Sequence, residues 1–176
     1  EQFQAAGSNK IFVTPGSGFG PPGSSIDKLT EHDRDIVEKT RGVEGVSAII
    51  FKFGNINFNS KSTFASINGY PTDSEGLKIA TEAQGLKIIA GRNIKNGDKS
   101  KVVIGYNYHI DDSKFGKPVK LRDTILIEGE NFEVIGLADK IGNPGDDANI
   151  YIPLETGQDL FDLDNPLALE SNGQCS

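Results

Sequence analysis

The sequence predicts an α+β fold in two lobes, an α/β first lobe and a small, mostly β second lobe. Three observations carry this expectation. A helix-start signal at Thr30 is followed by a long apolar, β-branched and aromatic stretch over residues 43–67. Beyond Gln84 the apolar runs become brief and closely spaced, and polar turn formers separate them at intervals of roughly 8–12 residues. With 176 residues, 36 % of them apolar, the chain is long enough to bury a sizeable core.

Taken in order, Ile11-Phe12-Val13-Thr14 reads as a short strand, and the Gly/Pro-rich residues 15–23 read as an extended loop. Thr30-Glu31-His32-Asp33 places a hydroxyl cap ahead of acids in a first helical turn, close to a capping box. Ile36 and Val37 give that helix an apolar stripe, and Arg41 with Gly42 is expected to close it. Val46, Ala48, Ile49, Ile50, Phe51 and Phe53 are strand residues, and the polar region 55–62 predicts a hairpin or meander leading to Phe64, Ala65 and Ile67. Asn68-Gly69-Tyr70-Pro71-Thr72-Asp73 reads as a turn, followed by mixed sequence with small apolar residues to Ala83. The first lobe, with its N-terminal segment, spans residues 1–81 in the order strand, helix, strand, strand.

The second lobe spans residues 82–161. Its runs are Leu86 to Ile89, Val102 to Ile104, Val119 to Leu121, Ile125 to Ile127, Phe132 to Leu137, and Ile150 to Ile152. The two around Gly129 are the strongest hairpin signal in the chain. Short helices are expected near residues 106–114 and after Pro153, and residues 162–176 read as a polar tail.

Composition excludes several functions. A net charge of −7 and pI near 4.8 leave no basic footprint for a phosphate backbone, so nucleic acid is not an expected partner. No run approaches the roughly 20 apolar residues of a membrane-crossing helix. The chain opens Glu1-Gln2-Phe3 and contains no Met, so it is expected to be processed or cut from a longer polypeptide. The single Cys175, near the chain's end, has no internal partner for a disulfide.

Each cluster that could carry chemistry has an ordinary structural reading. Gly16-Ser17-Gly18-Phe19-Gly20 lacks phosphate-loop spacing, and Pro21-Pro22 removes the donors an anion cradle needs. His109, Asp111 and Asp112 lie close in sequence, but on a helix Asp111 would leave the face shared by the other two, and the only other histidine is His32. Residues 143–147, with Asp146 and Asp147, lack the alternating acids of a calcium loop. Glu128 with Glu130, and Asp162 with Asp164, are ordinary in an acidic chain, and no Gly-x-Ser-x-Gly elbow occurs. The expected sets of catalytic, cofactor-binding and metal-binding residues are therefore empty, and no cofactor is expected. A metal-dependent hydrolase would need His109 and carboxylates to converge on one pocket.

The order of motifs resembles the MacB-type periplasmic core domain, the extracytoplasmic domain of permease subunits in the MacB/LolC/FtsX group of ABC transporters. The likeness runs from Leu29-Thr30 and Asp33 into Gly42-Val43-Glu44-Gly45-Val46, then Ile67-Asn68-Gly69 with Pro71, and Ala90-Gly91-Arg92. It continues through Asp98 and Lys101-Val102-Val103-Ile104-Gly105, Gly116 and Val119, the run from Ile127 through Gly129 to Gly136, and Ile150-Tyr151-Ile152-Pro153-Leu154. These marks are structural: Gly91-Arg92 is a turn whose Arg can pin a loop, Gly136 inside a strand suggests a bulge, and Pro153 stops the last strand and opens a helix.

The resemblance implies a porter-like first lobe, a sabre-like second lobe and a non-catalytic role that couples substrate or partner contact to ATP-driven motion. It also implies an ABC ATPase partner reached through transmembrane helices, a second permease copy, an extracytoplasmic substrate or adaptor protein, and a place on the outer face of the cell membrane. The family's chain returns to the first lobe with further strands and a helix, which residues 162–176 are expected to lack. That absence would leave an edge or apolar face open at Ile49, Phe51, Phe53 and Phe64, with self-association as the expected result. The alternative reading is a secreted or surface-anchored interaction module with no transporter attached.

Overall fold

The computed structural model describes residues 10–13, 29–111, 113–163 and 168–173. They form a mixed α/β fold with a sheet-rich core and three α-helices: β1 (Lys10–Val13), α1 (Glu31–Glu38), β2 (Val43–Phe58), β3 (Lys61–Tyr70), α2 (Ser74–Gln84), β4 (Ile88–Gly91), β5 (Lys101–Ile104), β6 (Thr124–Ile127), β7 (Glu130–Ala138), β8 (Asn149–Pro153), α3 (Leu154–Phe161) and β9 (Ala168–Gly173).

α1 starts where its cap chemistry places it. The Thr30 side chain accepts from the Asp33 amide, and the Asp33 carboxylate accepts from the Thr30 amide at 2.7 Å. The hydrogen bonds from Thr30 hold the Asp33 carboxyl below its ordinary range. The helix ends at Glu38, ahead of the Arg41-Gly42 stop, and Val43 then turns into β2 with its amide donating to Thr40.

β2 and β3 form one long hairpin. Asn59 and Ser60, at φ 51° and 58°, make the two-residue left-handed turn whose twist matches the strands. β2 serves two sheets. Its first part, residues 43–49, pairs with β9, which pairs in turn with β1. Its second part pairs with β3, and the ladder continues through β8, β5, β7 and β6 back to Ile56 and Asn57 of β2. Those six strands close a barrel, which leaves no free edge around the ring. Strand alternation fills it: Ile56, Ile67, Val102, Ile104, Ile125, Ile127, Phe132, Val134, Ile150 and Ile152 share one core. Residues of the opposite parity, Val103 and Tyr151, belong to a second cluster with Ile49, Tyr70 and Ala80 of α2. A third, smaller cluster seats α1 on β2 through Leu29, Val46 and Val37.

Several local expectations appear as read. Glu128 and Gly129 form the left-handed turn between β6 and β7. Gly136 lies at a register shift, where Val102 faces Val134 but Val103 faces Gly136. Pro153 ends β8 and caps α3.

Others are corrected. The described residues of 106–114 hold a single 3₁₀ turn at Tyr106–Tyr108 in place of a helix. Gly116, at φ 74°, and Pro118 bend the chain back, so that the Val119 amide donates to Tyr108 and Tyr108, Phe115 and Val119 pack into the barrel core. The Tyr108 hydroxyl donates to Ala148 at 2.9 Å, and burial pushes its pKa up to about 12. The mixed sequence before Ala83 is the helix α2, capped by Asp73 and stopped by left-handed Gly85. The division expected between Thr81 and Glu82 lies inside that helix. The expected polar tail carries β9, which returns to the first sheet between β1 and β2. Ladders on both of its edges let so polar a segment form a strand, and β9 covers one of the two edges of β2 from Val43 to Ile49.

One loop is pinned by charge. Gly91, at φ 75°, turns the chain so that Arg92 donates from Nη1 and Nη2 to the two Asp98 oxygens at 2.6 and 2.9 Å. Asp98 also accepts from the Lys95 amide at 3.0 Å. The hydrogen bond from Arg92 holds the Asp98 carboxyl below its ordinary range. A depressed carboxyl contributes its stability above the unfolded-state pKa of about 3.9 and loses it as pH falls through the folded value. Asp98→Asn is expected to cost about 1 kcal/mol at neutral pH, a small figure because the Arg92 end is exposed to solvent. Urea melts at pH 7 and pH 3 should show the gap between variant and parent narrowing on acidification; a gap independent of pH would refute this.

Candidate functional site

On the β2–β3 hairpin, residues of one parity fill the barrel and those of the other face outward. Phe51 and Phe53 share the outward face of β2, and Phe64 lies on β3 directly across from Asn55. The Phe53 and Phe64 rings stack at 5.9 Å and 14°, while Phe51 meets Phe53 edge-on at 5.5 Å. Phe53 is 49 % and Phe64 62 % exposed. Stacking repays only part of the cost of leaving two such rings in water, and a contiguous aromatic patch of this kind is the composition of a protein contact site. The expectation of an uncovered apolar face thus holds at Phe53 and Phe64, with Phe51 half-buried, and fails at Ile49, which is buried.

Next to it lies an acidic groove of about 490 Å³. Glu128, Glu130, Glu155 and Asp159 line it with Lys99, over an apolar base that includes Phe132 and Leu160. Glu128 is fixed from the hairpin side, since its Oε1 accepts the Asn55 backbone N–H. The Thr156 hydroxyl donates to the Lys99 carbonyl at 2.7 Å, tying α3 to the loop before β5. Patch and groove therefore meet at Asn55, which sits opposite Phe64 and whose backbone N–H holds Glu128.

The other clusters weighed in the sequence lie elsewhere. His109 is half-buried, its Nε2 2.8 Å from the Ala138 carbonyl oxygen and its ring edge-on to Tyr106. Asp147 is buried and organises its loop by accepting from the Ile141 and Gly142 amides at 2.7 and 3.3 Å. Asp146 is raised from its ordinary value, chiefly by desolvation. Asp162 takes a left-handed conformation to end α3. Residues 16–20, Asp112, Asp164 and Cys175 lie outside the described residues. Among the described residues, no three His, Cys, Asp or Glu side chains come together as a metal set. Nor is any helix among them long and apolar enough to cross a membrane. Sequence reading missed the acidic groove, because its four carboxylates come from the β6–β7 hairpin and from α3, which are brought together only by the closed barrel.

Comparison with known proteins gives a consistent picture. The family model described as the MacB-like periplasmic core domain matches residues 1–169. An uncharacterised ABC transporter permease of Methanocaldococcus jannaschii is 30 % identical over 161 residues, covering 92 % of this chain and 39 % of that protein. The macrolide export ATP-binding/permease protein MacB of Neisseria gonorrhoeae is 29 % identical over 147 residues, covering 81 % of this chain and 22 % of that protein. The chain thus spans well under half the length of these curated relatives. Among solved structures, the periplasmic region of MacB from Actinobacillus actinomycetemcomitans matches with a TM-score of 0.74 at 20 % identity, over 99 % of this chain and 78 % of that one. The extracellular domain of the noncanonic ABC-type transporter YknZ from Gram-positive bacteria matches at 0.69 and 20 % identity, over 96 % and 85 %.

Proposed function

The chain belongs to the MacB-like periplasmic core domain family, and on that premise we propose that it is the extracytoplasmic domain of an ABC transporter permease subunit, coupling contact with a substrate or partner protein to ATP-driven motion. It performs no chemistry of its own. ATP hydrolysis belongs to a separate ATPase domain or subunit, joined to this domain through membrane helices, and two permease copies act together. The domain works as two lobes: the sheet of β1, β9 and the first part of β2 under α1, and the barrel, with β2 passing from one to the other at Ile49 and Ile50.

The observation that carries this reading is the exposed stack of Phe53 and Phe64 on the same hairpin whose long strand leads into the first sheet. Contact at the aromatic face and displacement at the other end share one structural element.

Spin labelling tests it. Ser62→Cys, at the exposed start of β3, is labelled in a Cys175→Ser background of the full-length permease, reconstituted in membranes with its ATPase. A dipolar distance between labels is expected, because two copies are present, and it should shift between the nucleotide-free and ATP-trapped states. Absence of any inter-label signal would sink the two-copy assembly, and a distance unmoved by ATP would sink the coupling.

A further inference from the structure

Among the described residues, β2 is paired on one side only along residues 43–49. β9 occupies that side, from Val43 opposite Gly173 to Ile49 opposite Ala168. β3 joins β2 only from Ile50 onward and ends at Tyr70, where Pro71 turns the chain away. In an antiparallel ladder, alternate residues direct their N–H and C=O groups to opposite edges. Half of the backbone groups of residues 44–49 therefore point away from β9, and among the described residues no backbone partner meets them.

The helices frame this open edge without covering it. α1 packs on one face of β2, with Val37 beside Val46, and α2 packs on the other, with Ala80 beside Ile49. Between them lies a slot of about 170 Å³ lined by Val46, Ser47 and Ala48. Ser47 is 1 % exposed, and among the described residues its hydroxyl has no hydrogen-bond partner. A buried hydroxyl that has lost its water without gaining a protein contact is an uncommon feature of a folded chain. At the walls, Glu38 of α1 and Asp73 and Glu75 at the start of α2 outnumber Arg34.

We propose that this slot is a strand-addition site: a short extended segment of a partner protein pairs with the open edge of β2 and places a lysine side chain between α1 and α2. The inference rests on the partner-coupling role proposed above and adds a second contact, at the end of β2 away from the aromatic face, with its chemistry. Backbone pairing supplies the affinity and the slot reads one side chain, the division of labour usual in β-augmentation. The volume suits a single side chain, since drug-sized ligands occupy roughly 300 Å³ or more. The acidic walls select a cation, and Ser47 Oγ accepts a hydrogen bond from the incoming chain. A second copy of this chain is the wrong occupant. Pairing two β2 edges about a twofold axis would set Glu38, Asp73 and Glu75 against the same three residues of the other copy.

Nitrogen-15 NMR titration of the whole chain with the capped peptide Thr-Val-Lys-Val-Thr decides the matter. Shifts are expected at residues 44–49 and 73–76. Replacing the peptide lysine by glutamate, or N-methylating its alternate amides, should weaken binding about tenfold or more. Glu38→Gln combined with Glu75→Gln, two exposed positions, should weaken the lysine peptide to a similar degree. No shifts at about 2 mM peptide, shifts centred on Phe53 and Phe64, or equal binding of the N-methylated peptide would each overturn strand addition. Those outcomes leave the spin-label result standing, and an ATP-insensitive label distance leaves the peptide result standing, so the two readings fail separately.

Discussion

Gly91→Ala is expected to destabilise the domain by more than about 3 kcal/mol, a large fraction of the roughly 5–15 kcal/mol that holds a domain together. Two penalties coincide. Gly91 sits at φ 75°, where a side chain is strained, and a Cβ built there would lie 2.1 Å from the carbonyl oxygen of Ile135. That oxygen belongs to backbone, and it already accepts the Arg92 amide at 2.9 Å. Relief would require β4 to part from β7 and would carry Arg92 away from Asp98. Gly97→Ala is the control, because Gly97 has a similar φ of 86° with nothing within 4 Å of the added carbon. It should lose only about 1–2 kcal/mol. Urea denaturation followed by circular dichroism measures both, and equal losses would refute the steric argument.

The second large effect is expected at the barrel's seam. Ile127 is fully buried in the barrel core and sits opposite Ile56, one of only two register pairs joining β6 to β2. Ile127→Ala removes buried apolar volume from a closed ring that cannot easily collapse around the cavity, so about 3–4 kcal/mol should be lost. Leu126, its half-buried neighbour at the other pair, should cost about 1 kcal/mol as Ala. Hydrogen exchange should also speed up at the amides of β6 more than at those of β3, because only two register pairs hold β6 to β2 whereas nine hold β3 to it. A loss at Ile127 no larger than at Leu126, or uniform exchange across the barrel, would argue against the seam.

What could be read from the residues beforehand was mostly local chemistry. The Thr30 and Asp33 cap, the Gly129 turn, the Gly136 bulge, the Gly91-Arg92 turn and the Pro153 stop each depend on a few neighbouring residues, and each appears where its signal lies. α2 was hidden because its buried face is built largely from Gly76, Ala80 and Ala83, small residues that give a faint apolar period. β9 was hidden because its sequence, Ala-Leu-Glu-Ser-Asn-Gly, has little strand character, and its structure comes from two neighbours distant in the chain. The aromatic face was half legible. Phe53 and Phe64 were expected in the open, yet the acidic groove beside them needed the closure of β6 on β2, a pairing some 70 residues apart that no local pattern announces. The slot at Ser47 is still less visible, since it exists only where two helices stand either side of one strand edge.

The continuity of β2 has a mechanical consequence. At about 3.3 Å per residue its 16 residues make a rod of roughly 50 Å. No peptide joint interrupts that rod between the β9 ladder and the aromatic end. Bending it in the plane of the sheet would stretch the β3 pairs on one side and the β9 pairs on the other. A push at Phe53 would therefore arrive at Val43 as a tilt of the whole rod, with the first sheet carried at its far end. On the proposed reading the domain would transmit displacement as a lever does, with its pivot where β3 hands over to β9 beside Ile49.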